Sequence, residues 1–162
     1  MKTDKGVRKE HLFLCYWRVS MYCKVATLQD FEEAYSFIQA LWDYNDYPYQ
    51  KTFEVYQKIL KDKNSFAFFL EDDGIYQGFC HGNYFDTFWM NGKTCYVSSL
   101  ITKEEVRQKG YGKAMMDYAL NLARKQDCKA VILCSGMPRK QAHQFYENYG
   151  FEKGCYGFEL LL

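Results

Sequence analysis

No stretch of this sequence stays apolar for the length that a membrane helix needs. Net charge is +1, so no global charge attracts nucleic acid or a membrane surface. No C-x-x-C occurs, and the seven cysteines (15, 23, 80, 95, 128, 134 and 155) are an odd number. That argues against a disulfide framework and against a zinc knuckle. The thiols read instead as reduced, small apolar side chains of a cytosolic protein. Cys80 followed by His81 is not a metal motif by itself, and no metal is expected. Repeats, linkers and low-complexity tracts are missing too. The leading residues carry charge through Glu10 and then only a short apolar run, 12–17, which makes a poor signal peptide.

Aromatic side chains are plentiful: 15 Tyr and 13 Phe help bring the share to 19%. With 162 residues, that composition predicts one domain with a packed core and concave aromatic surfaces. The spacing predicts an opening strand over 22–26, then a helix capped by Thr27 or Asp30 and ending near Leu41. Phe31, Ala34, Tyr35, Ile38 and Leu41 share one face of it. A second helix over 50–61 carries Phe53, Tyr56, Ile59 and Leu60 on one face. Strands follow over 65–70, 75–85 and 94–102, the first two joined by an Asp-Gly turn. Residues 113–125 read as a helix whose methionines, Met115 and Met116, face the core. A wholly apolar run over 130–134 reads as a buried parallel strand. Pro138 opens a last helix, Gly150 closes it, and a final strand or hairpin is expected from Phe151 onward.

Residues 1–20 read as an N-terminal extension ahead of a domain over 21–162. Met21 reads as a natural start; the alternative is an apolar segment, 11–17, docked on the domain.

The run Arg107-Gln108-Lys109-Gly110-Tyr111-Gly112-Lys113 joins a strand to a helix. That order makes an anion site, because the first helical N–H groups have no intrahelical acceptor and the helix dipole points positive there. Gly110 and Gly112 carry no Cβ, so a phosphate can approach the backbone closely. Arg107, Lys109 and Lys113 add mobile positive charge. The run is not G-x-x-x-x-G-K-S/T, so a nucleoside triphosphate loop is not indicated, and it lacks the βαβ setting of a dinucleotide site.

The pattern R-x-x-G-x-G over 107–112 resembles the coenzyme A loop of the GNAT superfamily of acyl-CoA-dependent N-acyltransferases. Residues 142–151 resemble that family's A-x-x-F-Y-E-x-x-G-F helix and strand, and residues 24–31 its opening strand and first helix cap. The matches keep the family's order. A weaker likeness, over the C-terminal half, is to the aminoalkylphosphonate N-acetyltransferase branch, whose His-rich segment is replaced here by residues 86–91.

The resemblance implies an α/β fold with a central mixed, mostly antiparallel sheet flanked by about four helices. It implies acetyl-CoA as co-substrate, held by Arg107, Gln108, Lys109, Gly110, Tyr111, Gly112 and Lys113 and by the strand backbone at Leu100, Ile101 and Thr102. Tyr146 takes the position of the phenol that protonates the leaving thiolate. Ser99 stands where many relatives carry Glu, so Ser98 or Ser99 holds a relay water or the base lies elsewhere, among Asp43, Asp46, Glu54 and Tyr96. Arg139 replaces an Asn of many relatives and is placed to meet the coenzyme or an anionic acceptor. The loop with Asp43, Tyr44, Asp46 and Tyr47 reads as an ammonium-binding edge of the acceptor channel. Cys134 reads as a packed thiol, not a nucleophile.

The function expected is acetyl transfer from acetyl-CoA to the primary amine of a small molecule, in the cytoplasm. The partners are those two substrates, with no nucleic acid and no membrane, and a homodimer stays an open option. The alternatives are a catalytically silent acyl-CoA-binding regulator and a protein lysine or N-terminal acetyltransferase.

Overall fold

A computed structural model describes residues 21–161. Both readings of residues 1–20 lie outside the described residues.

The chain after Ala26 needs a helix start, and Asp30 provides it. Its carboxylate accepts the Thr27 N–H (2.8 Å) and the Thr27 Oγ1 hydroxyl (2.7 Å), closing the turn ahead of α1 (Phe31–Leu41). Asp30 is buried, and it also accepts from Lys24 Nζ (2.7 Å) and Tyr76 Oη (2.6 Å). Burial alone would raise its pKa; the bonds from Lys24, Tyr76 and Thr27 outweigh that and hold it near 2. The same carboxylate thus joins the opening strand, the first helix and the third strand.

Among the described residues the sheet has five strands in the order β1 (Met21–Val25), β2 (Ser65–Asp72), β3 (Ile75–Thr87), β4 (Gly92–Thr102) and β5 (Ala130–Leu133). Neighbours are antiparallel except β4 and β5, which run parallel. The β2–β3 turn is Asp73-Gly74, both with positive φ, the geometry a two-residue hairpin asks for.

Each face of the sheet buries its own cluster. Helix α1 and α2 (Tyr49–Lys61) cover one face, where Phe31, Phe37, Tyr56, Phe69 and Phe79 meet. Helix α3 (Tyr111–Lys125) covers the other with Met115, Ala119 and Ala123 against Phe68, Cys80 and Val97. Helix α4 (Lys140–Tyr149) has no fully buried residue and lies over the start of α3, with Phe145 against Gly112.

Two expectations are corrected. No strand forms after α4 among the described residues: 151–161 carry no regular structure, and Tyr156, Phe158 and Leu160 are 86%, 96% and 85% exposed. Alternating apolar residues favour a strand only when an edge accepts them. Here the available edge, β5, is four residues long, and Gly154 and Gly157 weaken the segment further. As a consequence β5 is the outer strand and half-buried, not covered on both faces.

Candidate active site

Strand β4 is longer than the partner beside it. Its pairing with β5 runs from Thr94 to Val97 and stops there. At the same level β4 carries a bulge, where the register against β3 slips between His81 and Gly82 and Ser98 is left without a partner. Gly82 is required at that slip, since a Cβ would stand 2.4 Å from Phe66 Cζ and 2.6 Å from the Tyr96 carbonyl. Beyond it, residues 98–102 have backbone groups with no strand on the β5 side among the described residues. An extended ligand can pair with such an edge.

A single helical turn (Glu104–Val106) leads from β4 to the basic Gly turn. Gln108 and Gly110 both take positive φ there, and Gly110 precedes α3. The first helical acceptor is used by Ala114, whose N–H reaches the Gly110 carbonyl at 3.0 Å. The N–H groups of Tyr111, Gly112 and Lys113 therefore have no intrahelical acceptor. A Cβ at Gly110 would meet nothing within 4 Å, so the space over this turn is open.

A groove of about 1390 Å³ runs from the open β4 edge past the Gly turn to α4. It is lined by Leu100, Ile101, Thr102, Arg107, Gln108, Gly110, Gly112, Lys113, Arg139 and Tyr146, all expected from the sequence. Sequence reasoning missed others in it: Asp117, Leu120 and Arg124 from α3, and Lys140, Gln144, Phe145, Asn148 and Tyr149 from α4. A signal for the α3 set exists, since 113, 117, 120 and 124 recur at helical spacing from the Gly turn.

Among the described residues the lining carries five cationic side chains, Arg107, Lys113, Arg124, Arg139 and Lys140, against one carboxylate, Asp117. That carboxylate already accepts Lys113 Nζ (2.8 Å) and Tyr149 Oη (2.5 Å), which lower its pKa in that order. Arg107 pairs with Glu104 at 2.9 Å. Exposed pairs of this kind contribute about 0–1 kcal/mol, so both cations can turn to a phosphate at little loss. A polyanion with a pyrophosphate at one end and an extended arm fits this donor set and the open edge of β4. Acetyl-CoA has that form, so the residues present fit it.

Tyr146 enters the groove half-buried. Gly150, at φ +114, ends α4 and lets the Phe151 N–H return to the Tyr146 carbonyl at 2.9 Å. The Phe151 ring then packs edge-on to Tyr146, 5.9 Å between centroids. Burial raises the phenol's pKa, and the nearby Arg139 opposes this in part, so the hydroxyl is protonated at neutral pH.

Other expected residues lie elsewhere. Ser99 is buried on the α1 side of β4 and does not line the groove. Tyr111 sends its hydroxyl to Asp72 Oδ2 (2.5 Å), so its side chain ties α3 to the end of β2, and only its backbone faces the helix start. Lys109 is exposed and outside the lining. Asp43, Tyr44 and Asp46 are exposed in the loop after α1, where the Tyr47 carbonyl accepts the Tyr35 hydroxyl at 2.7 Å, and none of the four lines the groove. Tyr96 keeps its proton, because burial and the neighbouring Cys134 thiol both raise its pKa. Among the described residues no cluster of His, Cys, Asp and Glu forms a metal site, and no helix is long and apolar enough to cross a membrane.

A family model described as acetyltransferase (GNAT) family matches residues 26–151. The chain is 43% identical over 68 residues to a Bacillus subtilis (strain 168) protein named uncharacterized N-acetyltransferase YhdJ, covering 41% of this chain and 48% of that one. The match thus spans about half the length of that curated relative. A solved aminoglycoside N-acetyltransferase AAC(6')-Iy, in complex with CoA, superposes with a TM-score of 0.77 at 14% identity, over 88% of this chain and 94% of that one. A transcriptional regulator from Bacillus halodurans C-125 gives 0.76 at 19% identity, over 88% and 99%. At such identities the likeness is one of fold, and it spans proteins of different stated roles. The family model covers most of the chain, from the residue after β1 to the residue after Gly150, and the chain belongs to the GNAT acetyltransferase family.

Proposed function

We propose that residues 21–162 form an N-acetyltransferase domain that moves an acetyl group from acetyl-CoA to the primary amine of a small molecule in the cytoplasm. The observation that carries this reading is one groove holding an open strand edge, a helix N-terminus rich in cations, and a half-buried, protonated phenol. Bound acetyl-CoA supplies an activated acetyl thioester. The N–H groups at the start of α3, with Arg107 and Lys113, bind its phosphates. The edge of β4 at Leu100, Ile101 and Thr102 orients the arm. Tyr146 Oη holds the proton that a thiolate needs. Positioning of this kind contributes roughly 7–11 kcal/mol when the geometry is right. The acidic, aromatic loop with Asp43, Tyr44, Asp46 and Tyr47 supports a cationic acceptor.

A catalytically silent acyl-CoA-binding regulator is the second reading, favoured by a buried Ser99 where many relatives place Glu. Release of free thiol from acetyl-CoA, followed with polyamines, aminoalkylphosphonates, aminoglycosides and lysine peptides, separates the readings. Amine-dependent release with a small molecule is expected. Acetyl-CoA binding with no release in any mixture would favour the regulator, and release with peptides alone would favour a protein acceptor.

A further inference from the structure

The proposed reaction lacks a named proton acceptor, and the β4 bulge offers one. Ser98, the unmatched residue, sets its Oγ 2.6 Å from His81 Nδ1 and 3.2 Å from the His81 carbonyl. A serine hydroxyl has one proton, and a carbonyl can only accept. Both bonds form together only when the hydroxyl donates to the carbonyl and Nδ1–H donates to Oγ. Nε2 then carries a lone pair. Among the described residues Nε2 has no hydrogen-bond partner, and His81 as a whole is half-buried.

Its position follows from the sheet. Tyr76 Oη meets Asp30, at the start of α1, at 2.6 Å, and the Phe79 ring stacks on Phe37, 6.5 Å between centroids. Strand β3 and helix α1 thus advance side by side. Two more strand residues add about 6.6 Å. At about 1.5 Å per helical residue, His81 falls level with Leu41, where the loop carrying Asp43 begins. Across β4 its partner is Ser99, one residue before Leu100; Leu100 lines the groove, whereas His81 and Ser99 stand behind it on the α1 side of the sheet.

We propose that His81 Nε2 takes the proton of the attacking amine, with Ser98 as the residue that fixes the imidazole tautomer; this rests on the transferase reading above. The amine lone pair bonds the thioester carbonyl carbon, and the C–S electron pair leaves with sulfur. His81 Nε2 accepts the proton shed by nitrogen, and Tyr146 Oη gives one to sulfur. Solvent returns a proton from imidazolium to phenolate, so the products are an amide and a free thiol. Burial pushes the His81 pKa down to about 4, so the ring is neutral at neutral pH. Such a base is too weak to strip a free ammonium. It acts after the new C–N bond has made the N–H acidic.

Two measurements test this on the full chain. Long-range 1H–15N correlations of its three histidines read the tautomer directly, with His81 identified by its loss in His81→Asn. The Nδ1–H form is expected; an Nε2–H form overturns the proposal whatever the activity. His81→Asn keeps a donor toward Ser98 and removes Nε2. Its turnover, with acetyl-CoA and the panel amine that wild type acetylates fastest, should fall about 100-fold with acetyl-CoA affinity unchanged. Ser98→Ala should fall less and mix the tautomers. Turnover of His81→Asn within twofold of wild type overturns the role of His81 alone. A wild type that releases no thiol with any amine removes the transferase reading, and His81 as its base along with it.

Discussion

Tyr146→Phe should lower the turnover number at least tenfold and leave acetyl-CoA affinity within about twofold of wild type. A general acid contributes about 10²–10⁴-fold, and the lower bound allows for water replacing the phenol. The split follows from when the proton is needed. The bound thioester asks nothing of the hydroxyl, whereas the departing sulfur does. Packing should survive, since the ring and its edge-on contact with Phe151 remain. Because burial raises the phenol's pKa, activity that depends on it should persist through neutral pH and fall only as the solution becomes strongly alkaline. Steady-state kinetics with a direct binding titration checks both halves. Unchanged turnover, where chemistry limits the rate, would remove Tyr146 from the reaction.

Gly112→Asp should give a folded protein that has lost most of its affinity for acetyl-CoA. A Cβ at Gly112 would sit 3.5 Å from Phe145 Cζ, an ordinary contact, so the backbone tolerates it. A carboxylate in the first turn of α3 also suits the helix dipole, by about 0.3–1 kcal/mol. The same charge then occupies the donors offered to the pyrophosphate and repels it. Like charges set together cost several kcal/mol, which corresponds to a dissociation constant raised about 100-fold or more. Calorimetric titration reads the affinity and thermal unfolding reads the fold. A stable variant that binds acetyl-CoA as wild type does would show that the site lies elsewhere.

The sequence disclosed whatever depended on local chemistry. Gly110 and Gly112 are a weak signal by themselves; the strand before them, the helix after them and the R-x-x-G-x-G pattern gave them weight, and both line the groove. The core face of α3 was legible from Met115, Ala119 and Ala123, which a 3.6-residue period brings together. Nothing in the sequence singled out Asp117 and Arg124, although they share the Lys113 face; nothing local says that α4 will close a groove over that face. The bulge at Ser98 was not legible at all. A one-residue slip depends on the partner strand, here on Gly82 being small enough to admit Phe66. The expected strand after Phe151 failed for the converse reason: its alternation states a preference, and β5 offers too short an edge to meet it.

The most direct test of the site is a titration of 15N-labelled protein with acetyl-CoA, following backbone amides. The account predicts saturable shifts in two separate groups, Tyr111, Gly112 and Lys113 at the start of α3, and Leu100, Ile101 and Thr102 on the open edge of β4, with the loop of Asp43 and Asp46 unmoved until an amine is added. Shifts confined to other surfaces, or none at millimolar acetyl-CoA, would contradict it.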